Sequence, residues 1–244
     1  MLLSYIRRKL EKRKAMRVFR EYPHQVQDFQ LEEDGLIQFA NWQNPLIPPF
    51  VPNQSMVNFF RRFIPAGSLA IDIGANIGDT TVMMSLAAGR DGLVLGFDPN
   101  PHVFKVLEVN AALNKDKTNI VPLPFAIARE EGEFYYSSSE ASFGNGGISD
   151  KPSRYHGSYT LPQKIRGIVL EDYLQKNYPE RMSAVSLIKI DTEGYDKEII
   201  KSIHPFIEKY KPVIISECFS KSTKAEREDL YDSLALKGYK LFYF

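Results

Sequence analysis

A chain of 244 residues with 43% apolar and 25% charged side chains is long enough to bury one sizeable core and short for two independent ones. Its single cysteine, Cys218, excludes an internal disulfide framework and a cysteine-based zinc site, and fits a reducing, cytoplasmic setting. The net charge is only +1, yet residues 1–20 carry eight basic side chains against Glu11 alone, a net +7 that leaves −6 on the rest; a mildly acidic body argues against wrapping a nucleic-acid backbone.

In chain order, residues 1–50 read as a helical, polar lead closing in the Pro-rich NPLIPPFVP, a turn or extended linker, and residues 51–244 as one domain. Leu3, Ile6 and Leu10 sit at helical spacing, but that face runs into Arg13, Lys14 and Arg17, so the apolar stripe is short. Two readings stay open for this basic head: a solvated helix resting loosely on the domain, or a peripheral contact with the inner face of an anionic membrane. No apolar stretch approaches transmembrane length, and the first residues lack an uninterrupted signal-peptide core.

After the linker, apolar strands alternate with helical segments. SMVNFFRRF reads as a helix, SLAIDIG as a buried strand opening onto the helix NIGDTTVMMSLAAG, LVLGFDP as a strand, PHVFKVLEVNAALN as a helix and NIVPLPFAIA as a strand. GEFYYSSS is a further strand, followed by a long Gly/Ser-rich loop over 141–163 and by IRGIVLEDYL, a strand running into a helix. The alternation resumes with the strand SLIKID, the helix DKEIIKSIHPFIEKY, the strand PVIISECF, the helix KAEREDLYDSLALKG and a closing strand YKLFYF. Repeated β-α-β units imply an α/β fold with a doubly wound, mostly parallel sheet and helices on both faces. The near-continuous apolar strands are what burial on both faces requires. Cys218, within PVIISECF, reads as a core residue.

In such a sheet the ligand lies beyond the carboxyl ends of the strands. The first turn to consider therefore runs Asp72, Ile73, Gly74, Ala75, Asn76, Ile77, Gly78, Asp79, Thr80. Gly74 can supply the tight backbone, and Gly78 a close approach of the helix to the strand or the ligand. The dinucleotide fingerprint G-x-G-x-x-G fails, because counting from Gly74 its later glycines fall on Asn76 and Asp79. Asp79 in the first helical turn opposes a pyrophosphate, which disfavours an NAD-binding oxidoreductase. A cationic or zwitterionic ligand without phosphate, such as S-adenosylmethionine, tolerates it. Asp98 ends the next strand, 24 residues after Gly74, where a carboxylate can accept both hydroxyls of a ribose. Small Ala126, near the end of the third strand, leaves room for an adenine ring to lie flat.

The segments AIDIGANIGDTT, GFDPNP, GEFYYSS with its Gly-rich loop, GIVLEDYL and LIKIDTEGYDKEII resemble class I S-adenosylmethionine-dependent methyltransferases. More narrowly they resemble the FkbM family, whose fourth strand carries a K-I-D-x-E-G pattern, matched here from Lys189 to Gly194. The resemblance runs from about Asn53 to Phe244 and omits the basic first 50 residues. It implies a Rossmann-like fold, S-adenosylmethionine as cofactor and methyl transfer to oxygen, frequently on sugar hydroxyls of glycans or natural products. Carried over by position, Gly74, Asn76 and Gly78 form the methionine-side cradle, with Asp72, Asp79 and Thr80 in the same turn. Asp98 takes the ribose, and Asp191 and Glu193 line the cleft near the methyl group. The chain stops at YKLFYF, where many class I enzymes add a final antiparallel strand.

Methyl transfer to a hydroxyl is an in-line displacement at sulfonium, so the site must orient the oxygen and take its proton. Glu193 and Asp191 both qualify as the base, singly or together. Lys189, on the same strand face as Asp191, can hold an acid ionised. The competing reading has Asp191 capping the following helix. Asp191, Glu193 and Asp196 can together suit a hard divalent cation, but acids so spaced more often open a helix, and no metal is expected. His156 in the long loop is a third candidate base; His102 lies near the ribose or exposed, and His204, before Pro205, at the surface. Gly144, Gly146 and Gly147 suggest a mobile lid, and Tyr155 and Tyr159 a stacking surface for a sugar ring; the alternative is a plain surface insertion. The expected acceptor is a sugar or small-molecule hydroxyl. A nucleic-acid methyltransferase is disfavoured by the acidic body and by the lack of an N-P-P-Y-type clamp at the fourth strand. A non-catalytic binding module is disfavoured by the intact Gly74, Gly78, Asp98, Asp191 and Glu193.

Overall fold

The computed structural model describes residues 2–151, 157–219 and 222–243. The helical lead is confined to α1 (Leu2–Arg17). Beyond it the chain departs from a helical reading and forms an antiparallel hairpin, β1 (His24–Leu31) and β2 (Gly35–Trp42). On β2, Ile37 and Phe39 are buried while Leu36 and Gln38 are exposed, the two-residue period of a half-buried strand.

The next helix, α2 (Gln54–Arg61), starts where the Asn53 side chain accepts the Met56 N–H at 3.0 Å. An alternating run follows: β3 (Leu69–Ile73), α3 (Asp79–Ala88), β4 (Leu93–Phe97), α4 (Pro101–Ala112) and β5 (Ile120–Leu123). Asn100 caps α4 through the His102 N–H at 3.1 Å, and Pro101 occupies its first turn, where a missing N–H costs nothing. The strand expected over NIVPLPFAIA splits. Pro124 cannot donate to a ladder, so the chain leaves β5 there and enters a second sheet as β6 (Ala126–Ile127).

That second sheet also holds β7 (Gly132–Ser138), β8 (Gly147–Ser149), β9 (Tyr159–Thr160) and β10 (Ile165–Ile168), ordered β6-β10-β7-β8 with β9 pairing β7. The described part of the 141–163 stretch is thus structured, and residues 141–144 are buried. Then come α5 (Leu170–Asn177), a short 3-10 turn, β11 (Val185–Ile190), α6 (Asp196–Ser202), α7 (His204–Tyr210), β12 (Val213–Ser216) and α8 (Lys224–Ala235). The single helix expected over 196–210 is two, because Pro205 lacks the N–H that would continue the ladder and instead sits in the first turn of α7. The closing strand does not form through Tyr243. The Tyr239 hydroxyl donates to the Pro212 carbonyl at 3.0 Å, but Phe242 and Tyr243 are 82% and 92% exposed. Among the described residues the outer edge of β12 has no partner strand. Cys218, just past that open edge, is exposed and not a core residue.

The main sheet, ordered β12-β11-β3-β4-β5, is parallel throughout. Along β3, Leu69, Ile71 and Ile73 face a core closed by α5, α6 and α7, while Ala70 faces a core closed by α2, α3, α4 and the hairpin. This is the doubly wound α/β fold that the alternation of elements predicts. Two asparagines dock the hairpin. Asn110 on α4 accepts the Ala40 N–H at 2.7 Å and donates to the Ala40 carbonyl at 3.0 Å; Asn114, just past α4, does the same for Gln38 at 2.7 and 2.8 Å. Asn110 also donates to the Ile77 carbonyl at 2.7 Å, which ties the hairpin to the turn ahead of α3.

Candidate active site

The carboxyl ends of β3, β4 and β11 meet at one cleft. Gly74 has φ +81°, and a Cβ there would collide with the Asp191 carbonyl, so packing against the end of β11 demands glycine as firmly as the backbone angle does. The Gly74 and Ala75 N–H groups both donate to the Phe97 carbonyl, at 2.9 and 3.0 Å, which locks the turn to the end of β4. Gly78 (φ +93°) serves a different contact: a Cβ there would lie 2.9 Å from Leu107 Cδ1, so it lets α3 approach α4 and does not line the cleft.

Asp72 is also turned away from the cleft. It is fully buried and accepts the Thr80 and Thr81 hydroxyls on Oδ2 at 2.9 and 2.6 Å. Lys189, its neighbour in the β3–β11 register, places Nζ 3.2 Å from Asp72 Oδ1, 3.3 Å from Asp191 Oδ2 and 3.4 Å from the Gly74 carbonyl. Burial pushes the Lys189 ammonium down, but Asp72, Asp191 and Asp79 outweigh it and hold the lysine charged, above its ordinary range. One cation thus braces β3, the glycine turn and β11 together. Asp79 and Thr80, at the start of α3, do line the cleft; burial raises the Asp79 carboxyl, against the pull of Lys189.

Asp98 faces the same cleft from the end of β4. Its carboxylate accepts the Asn76 N–H at 2.8 Å and the Asn100 N–H at 2.9 Å. Burial raises it to about 6, with both donors pulling the other way. Asn76 (φ +49°) also donates through Nδ2 to the Gly144 carbonyl at 3.2 Å, and Asn100 through Nδ2 to the Phe143 carbonyl at 2.7 Å. The Gly-rich segment is therefore seated on the turns that carry Asn76 and Asp98. The buried Tyr136 phenol, held well above its usual range by burial, and residues 145–148 roof the cleft, and Ala126 and Phe125 form its far wall.

At the end of β11 the chain turns through two consecutive left-handed residues, Glu193 (φ +55°) and Gly194 (φ +106°). A non-glycine residue in that region is costly and needs support from its surroundings. Asp196 provides it: its carboxylate accepts the Thr192 N–H at 3.3 Å and the Gly194 N–H at 3.1 Å. Asp196, not Asp191, therefore braces the start of α6, and burial raises it to about 6. Asp191 and Glu193 are left at the cleft wall, with the Asp191 side chain 46% exposed. Among the described residues, no group of three or more His, Cys, Asp or Glu side chains is placed to hold a metal ion.

The histidines stand apart. His102 is half-buried and stacks on Phe143 at 5.6 Å, outside this cleft; burial lowers it. His204 is partly exposed, with its Nε2 buried and without a partner among the described residues. His156 and Tyr155 lie outside the described residues. Tyr159 packs on the small second sheet, next to a separate hollow. Sequence reasoning missed Asn100, Tyr136 and Glu217. For Glu217 a signal existed, because it ends its strand as Asp98 and Asp191 end theirs.

The FkbM methyltransferase domain model matches residues 72–241. The chain is 24% identical over 161 residues to methyltransferase sdnD of Sordaria araneosa, covering 57% of this chain and 62% of that one. It is 26% identical over 145 residues to the hexuronic acid methyltransferase AglP of Haloferax volcanii, covering 59% and 53%. The matches thus span less than two thirds of either relative's length. Among solved structures, a SAM-dependent O-methyltransferase from Thermotoga maritima superposes with a TM-score of 0.41 at 10% identity, over 78% of this chain and 52% of that one, too loosely to argue from. With the family model covering well over half of the residues, and with its first matched position inside the β3–α3 turn, this chain belongs to the FkbM methyltransferase family.

Proposed function

We propose that the domain is a methyltransferase that binds S-adenosylmethionine and methylates a hydroxyl of a sugar or small-molecule acceptor. The observation that carries this is the charge of the cleft. Asp79, Asp98, Asp191 and Glu193 surround it, and Lys189, the sole cation among its described lining residues, is already spent on Asp72 and Asp191. Such a wall repels the phosphates of a dinucleotide or a nucleic acid and suits a cationic ligand. The residues fit the cofactor: Asp98 keeps acceptor capacity for ribose hydroxyls, and small Ala126 lines the cleft where an adenine ring would lie.

When bound, the cofactor supplies an electrophilic methyl group. The chain's own work is to hold the acceptor oxygen in line and to take its proton, a task for Glu193 with Asp191 beside it. Residues 145–148 line the cleft over the same strand ends. The name of the hexuronic acid methyltransferase supports a sugar as acceptor. Calorimetric titration tests the reading: heat with S-adenosylmethionine and none with NAD is expected, followed by methyl transfer to glycosides. Binding of NAD in its place would overturn it.

The basic lead is proposed to rest on the cytoplasmic face of an anionic membrane. From residue 5 to residue 20 every side chain but Ala15 is exposed, so the domain touches α1 only near its C-terminal end, where the Met16 carbonyl accepts the Ala141 N–H, and the basic side chains stay open. No described helix is long and apolar enough to cross a membrane. Each basic side chain near an anionic surface contributes about 1 kcal/mol. Deleting residues 1–20 should therefore release the protein from phosphatidylserine vesicles while activity on a soluble acceptor persists. Equal vesicle binding by both forms would end this proposal.

A further inference from the structure

Glu217 lies one residue past β12, and its N–H donates to the Ile190 carbonyl at 3.0 Å, which sets it beside Asp191 on the adjacent strand end. Glu217 Oε2 is buried with no donor among the described residues, and the Glu217 carboxyl meets that of Asp191. Two ionised carboxylates have no proton to share, so this contact is a hydrogen bond only when one of them is protonated. Lys189, 3.3 Å from Asp191 Oδ2, supplies positive charge on the Asp191 side, which leaves the proton to Glu217. Among the described residues, the charged groups that raise Glu217 are Asp191 at the end of β11, Glu193 in the turn and Asp196 at the start of α6.

We infer that Asp191 and Glu217 form a proton-holding pair that gives up one proton to the positive charge of the bound cofactor and regains one when that charge is consumed, with Glu217 a positioning residue behind Asp191. Burial, and then the charges of Asp191, Glu193 and Asp196, push the Glu217 carboxyl up to about 7, so the exchange falls at neutral pH. The inference rests on the S-adenosylmethionine reading and extends it. Methylation of a hydroxyl forms a C–O bond, breaks an S–C bond whose electron pair stays on sulfur, and frees the hydroxyl proton. The cleft loses one positive charge and must lodge one proton. A carboxyl pair that binds a proton when the neighbouring cation disappears keeps the net charge of the cleft constant through the reaction.

The test is calorimetry of the full chain at pH 7 in buffers of different ionisation enthalpy, with S-adenosylmethionine and with S-adenosylhomocysteine, which lacks the sulfonium charge. A group near its midpoint should release about half a proton per S-adenosylmethionine bound, and much less with S-adenosylhomocysteine. Glu217→Gln mimics the protonated side chain, so it should bind S-adenosylmethionine within a few-fold of wild type while its proton release falls close to zero. Asp191→Asn gives a second arm, because without the neighbouring charge Glu217 is ionised beforehand and release again disappears. Equal release by wild type and Glu217→Gln, or with both ligands, overturns the pair. Failure of the wild type to bind S-adenosylmethionine at all overturns the cofactor reading, and the pair with it.

Discussion

Asp98→Ala should weaken S-adenosylmethionine binding by at least about 10²-fold, since two ribose hydroxyls each donating to a carboxylate contribute roughly 1.5–3 kcal/mol. The same carboxylate accepts the Asn76 and Asn100 N–H groups, so the variant also leaves two backbone donors unpaired. A loss of about 1–3 kcal/mol per buried unpaired donor should show in its thermal melt without unfolding the protein at room temperature. Binding also depends on pH in a defined direction. Asp98 sits near 6 when folded, above its ordinary 3.8, so its contribution to stability is complete below 3.8 and is lost as pH rises through 6. Cofactor affinity moves the other way, because the ionised carboxylate is the stronger acceptor. From pH 5 to 7 the apo protein should therefore lose stability while the dissociation constant tightens. An Asp98→Ala protein that binds within about threefold of wild type would remove Asp98 from the site.

Glu193→Gln should bind the cofactor normally and lose about 10²–10⁴-fold in turnover, the usual contribution of a general base. The substitution keeps the side-chain shape, and neither residue is better suited than the other to the left-handed backbone at this position, φ +55°. The turn should therefore survive, supported as before by the Asp196 carboxylate. Asp191 is the rival, but it is committed to Lys189 at 3.3 Å. Three measurements separate the roles: turnover of Glu193→Gln, turnover of Asp191→Asn and the thermal melt of each. Near-wild-type turnover in Glu193→Gln with a collapse in Asp191→Asn would move the base to Asp191. A lowered melt with turnover intact would make Glu193 a brace of the turn.

Some features were legible in the sequence because they depend on neighbours in the chain. The alternation of apolar runs with helical segments determined a parallel sheet wound on both faces. The glycine turn at Gly74, with Asp98 and Asp191 at the ends of the second and fourth strands, led to one cleft before any contact was known. What is decided at long range was not legible. Residues 24–42 are rich in polar side chains, and their strand edge is satisfied by Asn110 and Asn114, 70 and 76 positions further on from their partners. Pro124 marks a break, but only the presence of β10 gives the freed segment a second sheet to join. Gly74 must be glycine partly because the Asp191 carbonyl arrives against it, and Asp72 is spent on Lys189 rather than on a ligand for the same reason. Glu217 becomes a partner of Asp191 only when β12 and β11 come into register. A one-dimensional pattern reports periodicity and backbone angle, whereas charge coupling and close contact depend on which strand ends the fold sets side by side.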